Sequence, residues 1–211
     1  MDVIVEIVLS TITAFTAVVA VFISIAGIKK SNKQSLFDRR LNVYLNIKWM
    51  TSLCDENNML AKTYINDSKD EPLLSIDFMF NLMTNCSYLE EVQGLLSHTL
   101  ESEYQRKFLL KLESFKSLCE EARLIFPESV GYPLADFIYY YGEMLLSMYK
   151  YQIALNGMNK KYGENNELPN DDQLENGCRE RLFKNLSGTF ELSCRLQNDG
   201  ILQKASKKIK L

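Results

Sequence analysis

One long apolar stretch near the start of the chain dominates the hydrophobic pattern. Residues 7–28 contain no charged side chain and are rich in Val, Ile, Ala and Phe. At about 1.5 Å per residue, these roughly 22 residues form a helix about 33 Å long, enough for a hydrocarbon core of about 30 Å. A cleaved signal peptide needs a basic start and a shorter apolar region, whereas Asp2 and Glu6 precede this one. The pattern therefore predicts a transmembrane helix at 1–28 and a helical domain at 29–211.

Small and hydroxyl-bearing residues recur every three or four positions in this helix and so share one side of it. This small-residue stripe consists of Glu6, Ser10, Thr13, Ala17, Ala20 and Ser24, with Gly27 in the same register. Because helices in lipid associate through small residues and side-chain hydrogen bonds, the stripe is a candidate helix contact or pore lining. Two other interpretations stay open. The hydroxyls could instead bond to their own helix, and Glu6 could be a hydrated end residue rather than part of a carboxylate ring.

Charge is distributed asymmetrically around the apolar stretch. Two acidic residues precede it, whereas the basic cluster follows it: Lys29, Lys30, Lys33, Arg39 and Arg40. Positive charge is retained on the cytoplasmic side of a membrane. The sequence therefore predicts a single-pass protein with its N-terminus outside and residues 29–211 in the cytoplasm.

The remaining chain has helical rather than alternating periodicity, which predicts an all-α domain. Gly and Pro are absent from residues 28–71, so the first helix either continues into a second one at about 36–65 or hinges just before it. Ser75 is expected to cap the next helix, which begins at Ile76 and carries Phe78, Met79, Leu82 and Met83. Further helices are predicted at about 99–126, 133–161 and 172–197. We expect a break in the last one near Gly188, and a loose C-terminal tail at 204–211.

Composition excludes several classes of function. The formal charge is −3, of which Asp2 and Glu6 account for −2, which leaves −1 for residues 29–211. This is not the basic body of a dedicated nucleic-acid binder, so direct nucleic-acid binding is not expected. The five cysteines form no Cys-x-x-Cys pair, and the single histidine, His98, has no neighbours at zinc-ligand spacing. Without a phosphate-binding loop or nucleophile motif, we expect no metal, no cofactor and no enzymatic activity.

Two short segments carry a family resemblance. LFDRRLNVY at residues 36–44 and ARLIFPE at residues 122–128 are similar to segments of many small bacterial single-pass proteins. In size, anchor and all-helical body, the chain resembles more particularly the small membrane accessory protein of type VI-B CRISPR loci. That resemblance implies a divergent HEPN-like helical domain, location in the bacterial inner membrane, and a functional partnership with an RNA-guided nuclease that cleaves RNA.

The same resemblance bears on ribonuclease chemistry. Catalytic HEPN domains carry an Arg and a His separated by four to six residues, and the His performs acid–base work. No Arg occurs at that distance before His98, and the closest relic is Arg179 or Arg181 with Asn185, whose amide cannot transfer a proton. The sequence therefore favours a HEPN-like scaffold without the ribonuclease activity.

The expected function is antiviral defence by membrane permeabilisation or depolarisation. One span cannot enclose a channel, so this hypothesis requires a ring; with helices about 10 Å apart, about six or more copies leave a lumen. Two alternatives remain: a membrane-tethered scaffold that recruits a nuclease or RNA without forming a pore, and a membrane-bound ribonuclease.

Overall fold

The computed structural model describes residues 2–66, 75–97, 103–162 and 173–209, and every regular element within them is helical. The predicted all-α fold class is therefore confirmed. The α-helices are α1 (Asp2–Asn66), α2 (Ile76–Met83), α3 (Glu103–Ile125), α4 (Glu128–Tyr162), α5 (Gln173–Asn198) and α6 (Ile201–Ile209). Two single 3-10 turns, Glu90–Val92 and Leu95–Ser97, connect α2 towards α3.

Helix α1 is continuous over 65 residues, which at about 1.5 Å per residue makes it about 98 Å long. The first predicted helix therefore continues into the second without a hinge, which decides between the two possibilities that the sequence left open. The reason is local: no residue from Ile28 to the end of α1 is Gly or Pro, so nothing interrupts the backbone hydrogen bonds. The helix thus runs through the predicted boundary between 1–28 and 29–211.

The two halves of α1 have opposite environments. Residues 7–36 are all exposed, whereas Val43 is the first fully buried residue of the helix. From there the buried positions recur at helical spacing: Val43, Ile47, Met50, Cys54, Asn57, Ala61 and Tyr64. This half packs against α2, α3, α5 and α6. We call α2–α6 together with residues 37–66 of α1 the bundle.

Helix α4 lies at the centre of the bundle and packs along both α3 and α5. Its Tyr141 is completely buried, with its ring stacked 6.2 Å from that of Phe115 and edge-on at 5.7 Å to that of Phe137. The Tyr141 hydroxyl donates a 2.7 Å hydrogen bond to the carbonyl of Met83, at the end of α2. Satisfying the polar end of a buried tyrosine in this way joins α2 to the centre of the core.

The start of α2 follows its predicted chemistry. The Ser75 hydroxyl accepts a 3.2 Å hydrogen bond from the backbone N–H of Phe78, which confirms the predicted N-cap. Phe78 itself is 46% exposed, because the buried side of this short helix is formed by Ile76, Met79, Phe80 and Met83. The loop predicted before Ser75 falls mostly on residues 67–74, outside the described part of the chain.

Two predicted boundaries are wrong. Helix α4 begins at Glu128, five residues before the predicted Pro133, because the carbonyl of Pro127 accepts 2.8 Å hydrogen bonds from the N–H groups of Val130 and Gly131 and opens the first turn there. Helix α5 is unbroken at Gly188, where a Cβ would meet the ring of Tyr140 at 3.7 Å, an ordinary contact. A glycine in a packed helix need not end it, since tertiary contacts outweigh a penalty of about 1 kcal/mol.

The expectation of a loose C-terminal tail is also wrong up to residue 209. Ile201, Ala205 and Ile209 are spaced by four residues, so they form one apolar side of α6, and all three are buried. This side packs α6 against α1, α4 and α5, while Lys207 and Lys208 remain exposed. Burial of three apolar side chains stabilises a helix that is too short to form alone.

Arg40 ties the bundle together at the end nearest the uncovered half of α1. Its Nε donates a 2.8 Å hydrogen bond to the carbonyl of Ile125, and its Nη1 donates a 2.9 Å bond to the carbonyl of Lys208. The guanidinium carbon also lies 5.9 Å from the ring centre of Phe126. One side chain of α1 thus holds the C-terminal ends of both α3 and α6, whose last carbonyls have no partner within their own helices.

This arrangement predicts unequal effects for two neighbouring arginines. We expect Arg40→Ala to lower the free energy of unfolding by about 1.5–3 kcal/mol, because two hydrogen bonds to a charged group are lost. Arg39 forms only an exposed 2.7 Å ion pair with Glu121, so Arg39→Ala should change the free energy by about 1 kcal/mol or less. Denaturant unfolding of the detergent-solubilised protein, followed by far-ultraviolet circular dichroism, measures both; equal losses would contradict the role given to Arg40.

Candidate functional site

The uncovered half of α1 is the most unusual surface of the molecule. Twelve large apolar side chains between residues 7 and 28 are each at least 40% exposed: Ile7, Val8, Leu9, Ile12, Phe15, Val18, Val19, Val21, Phe22, Ile23, Ile25 and Ile28. Keeping this surface in water costs on the order of 10–20 kcal/mol, at about 1.5–3 kcal/mol per fully exposed side chain, reduced because each of these side chains is only about half exposed. That matches the whole stability of a typical domain, about 5–15 kcal/mol. The surface therefore requires a cover that the described residues do not supply.

By length and composition, α1 is the one helix in the described ranges that is able to cross a membrane. Its apolar segment has no part buried against the rest of the protein, unlike the core helix of a soluble protein. A lipid hydrocarbon layer fits both the length and the uniform exposure of this segment.

The small-residue stripe lies on this uncovered helix. Thr13 Oγ1 donates a 2.8 Å hydrogen bond to the carbonyl of Leu9, and Ser24 Oγ donates a 2.8 Å bond to the carbonyl of Ala20. This is the bonding within one helix that the sequence left as an alternative to helix contact. A hydroxyl that donates in this way keeps its oxygen lone pairs available as acceptors. The stripe thus presents oxygen acceptors and small side chains, while the Glu6 side chain lies outside the described part.

The structure divides the basic cluster into two groups. Lys29, Lys30 and Lys33 lie on the uncovered half of α1 and are exposed. Arg39 and Arg40 instead contact the bundle, through Glu121 and through the last carbonyls of α3 and α6. Three lysines are therefore positioned next to the apolar segment, whereas the two arginines attach that segment to the folded domain.

The three residues that the sequence suggested as a HEPN-like relic do not form one site. Arg181 and Asn185 line a polar groove of about 500 Å³ between α4 and α5, together with Tyr139, Tyr140, Glu143, Gly177, Glu180 and Lys184. Its two basic side chains are matched by two acidic ones, so the groove offers no net positive charge for a phosphate. Arg179 is not among the lining residues; its Nε lies 3.8 Å from Glu175 Oε1 on the same helix.

Asn185 has a packing role in this structure. Its side chain is buried, and its Nδ2 donates hydrogen bonds to Ser147 Oγ at 2.6 Å and to the Glu143 carbonyl at 3.4 Å. Ser147 Oγ donates in turn to the Glu143 carbonyl at 2.7 Å. The amide thus joins α5 to α4 in a buried polar network, in which every group depends on its partners.

Three buried or half-buried thiols offer no activated nucleophile. Burial raises the pKa values of Cys54 and Cys86, and raises the pKa of Cys119 to about 11. These thiols therefore stay protonated near neutral pH, and a thiol reacts through its thiolate. Within the described residues, no group of His, Cys, Asp and Glu is arranged to hold a metal ion. His98 lies outside those residues.

Sequence reasoning missed a second groove, between the end of α1 and α5. It has a volume of about 430 Å³ and is lined mainly by apolar atoms of Ala61, Ile65, Phe190 and Cys194. Its two walls come from helices more than a hundred residues apart in the chain, so no local pattern indicates it. Only the packing of α1 against α5 brings these residues together.

The α4–α5 groove gives a paired prediction. Asn185→Ala should lower the free energy of unfolding by about 1–3 kcal/mol, because it removes two hydrogen bonds from a buried polar network. Arg181→Ala, four residues earlier and exposed, should change it by about 0.5 kcal/mol or less. Chemical unfolding of both variants in the same detergent checks this; a stable Asn185→Ala variant would contradict the packing role.

Comparison with known proteins adds no relative to this picture. No protein-family model matches the chain, and no curated protein and no solved structure matches it either. The function is therefore inferred from the chain's own residues: an all-α bundle, and one uncovered apolar helix able to cross a membrane.

Proposed function

We propose that this protein is a membrane-anchored accessory of CRISPR-based antiviral defence, which assembles into a ring and permeabilises or depolarises the bacterial inner membrane. The observation that carries the proposal is the uncovered apolar half of α1, with a stripe of small and hydroxyl residues along one side. In this proposal the bundle is a HEPN-like scaffold that serves as the assembly platform and has no ribonuclease activity. The N-terminus faces outward and the bundle lies in the cytoplasm, beside an RNA-guided nuclease that cleaves RNA.

A ring follows from the number of spans. One helix encloses no lumen, and helices about 10 Å apart require about six or more copies to leave an open centre. Small residues allow close helix approach, but hydrogen bonds between helices in lipid contribute only about 0.6 kcal/mol each. Contacts between bundles therefore supply most of the association energy, and the stripes line the lumen that results.

The stripe suits the lining of a cation path. Back-bonded hydroxyls such as those of Thr13 and Ser24 present oxygen lone pairs, and such oxygens replace water around a partly dehydrated cation. Ala17 and Ala20 keep the lumen wide between the hydroxyl levels. The bulky side chains Phe15, Val19 and Phe22 then face lipid.

The main alternative is a tether, in which α1 only holds the bundle at the membrane and the bundle recruits the nuclease or RNA. A membrane-bound ribonuclease is a weaker alternative. The buried Asn185 and the charge-balanced groove favour packing over phosphate chemistry at the relic. RNA cleavage by the purified protein that disappears in His98→Ala would favour the ribonuclease.

Assembly can be tested by mass. We expect the protein, extracted in mild detergent or native nanodiscs, to have the mass of about six or more copies by light scattering or mass photometry. Cross-linking in intact membranes provides the control against aggregation in detergent. A strict monomer or dimer in both settings would contradict the ring.

The stripe can be tested by a matched pair of triple variants. We expect Ser10→Leu, Thr13→Leu and Ala17→Leu together to abolish ion leak from loaded liposomes, because leucine side chains fill and dehydrate the lumen. Val8→Leu, Ile12→Leu and Val19→Leu on the opposite side of α1 should leave the leak unchanged.

Carbonate extraction confirms that both variants are inserted, and their mass confirms that the ring is intact. A tether predicts no leak from the natural protein and equal nuclease-dependent protection against phage by both variants. That result would favour the alternative. A gene neighbourhood without an RNA-guided nuclease would remove the defence part of the proposal and leave the membrane part standing.

A further inference from the structure

A basic surface at one end of the bundle is not explained by the pore or by the fold. The last turn of α6 carries Lys207 and Lys208, and both side chains are exposed. The 2.9 Å hydrogen bond from Arg40 to the Lys208 carbonyl fixes this turn beside α1. The two lysines therefore have a defined height along the long helix.

That height places them near the membrane. Arg40 follows Ile28, the last residue of the apolar segment, by twelve positions, or about 18 Å along an upright helix. The headgroup layer occupies about 5–8 Å of this distance. Most of the remaining distance to the headgroups is covered by the length of a lysine side chain, by an ordinary helix tilt of about 20°, and by the Debye length of about 8 Å over which charges interact.

The charge at this end has the sign that anionic lipid requires. Lys29, Lys30 and Lys33 lie on α1 between the apolar segment and the bundle, and all are exposed. Together with the two α6 lysines they outnumber the unpaired acids nearby, Asp38 and Glu128, since Glu121 is paired with Arg39 and Glu120 with Arg123. Residues 29–211 carry a formal charge of only about −1, so this positive end is a local concentration rather than a property of the whole domain.

We propose that the membrane-side end of the bundle, through Lys207 and Lys208 of α6 acting with the three α1 lysines, docks onto the headgroups of anionic phospholipids. The bundle then rests on the bilayer instead of standing free on α1. This inference rests on the membrane anchorage of the proposed function but not on the pore, since a tether would dock in the same way.

Hydrogen exchange of the full-length protein in nanodiscs tests the docking. With phosphatidylglycerol present, we expect the amides of α6 to exchange about fivefold or more slowly than in pure phosphatidylcholine, since each lysine near an anionic surface contributes about 1 kcal/mol. Lys207→Gln with Lys208→Gln should remove the difference. The matched control, Lys62→Gln with Lys184→Gln, changes two exposed lysines far from this end and should retain it.

Further conditions separate the sources of protection. Salt at about 1 M, where the Debye length is about 3 Å, should abolish the slowing. Equal exchange in both lipids, or slowing that survives in the Lys207→Gln and Lys208→Gln variant, would overturn the proposal. Slowing caused by inorganic phosphate or RNA in pure phosphatidylcholine discs would also overturn it, because a soluble anion would then be the ligand. Insertion and ring mass are measured separately, so failure of the docking is distinguishable from failure of the pore.

Discussion

Exposing the apolar surface of residues 7–28 to water has a very high free-energy cost, and the rest of the structure depends on this constraint. The surface is as costly to expose as a whole domain is to unfold. Nothing in the described part of the chain folds back to cover it. The protein therefore consists of a folded bundle attached to a segment whose solvent must be something other than water, and any function has to accommodate that segment.

The bundle meets the opposite requirement, because it has to hold a long helix firmly from one side. Helix α4 provides the centre, where Tyr141 joins aromatic packing to a hydrogen bond with the end of α2. Arg40 provides the clamp at the other extreme, where the ends of α3 and α6 meet α1. Buried apolar side chains thus stabilise the interior, while one charged side chain satisfies helix ends that the interior cannot reach.

Local chemistry explains which parts of the fold could be predicted. The Ser75 cap and the spacing of Phe108, Phe115 and Ala122 act within a few residues, so the sequence shows them directly. The start of α4 and the continuity of α5 at Gly188 depend on contacts between helices, which a local pattern does not contain. The spacing of Ile201, Ala205 and Ile209 indicates that α6 is a helix with one apolar side. The lysines between these residues instead suggested a solvated tail. For the candidate site, the stripe and the basic cluster were legible in sequence, whereas the division of that cluster and the buried position of Asn185 required the packed structure.

A helix without a hinge also transmits twist. Hydrogen bonds between successive turns resist rotation of one turn against the next, and α1 has neither Gly nor Pro between Ile28 and its last residue. A rotation of the bundle about the α1 axis therefore rotates the apolar segment by the same angle. Because successive residues differ by about 100° around the helix axis, a turn of about that size brings the side of one residue to the position of the next. The orientation of the bundle thus sets which side chains of the segment face their neighbours. A partner that binds the bundle and rotates it therefore changes which side chains these are.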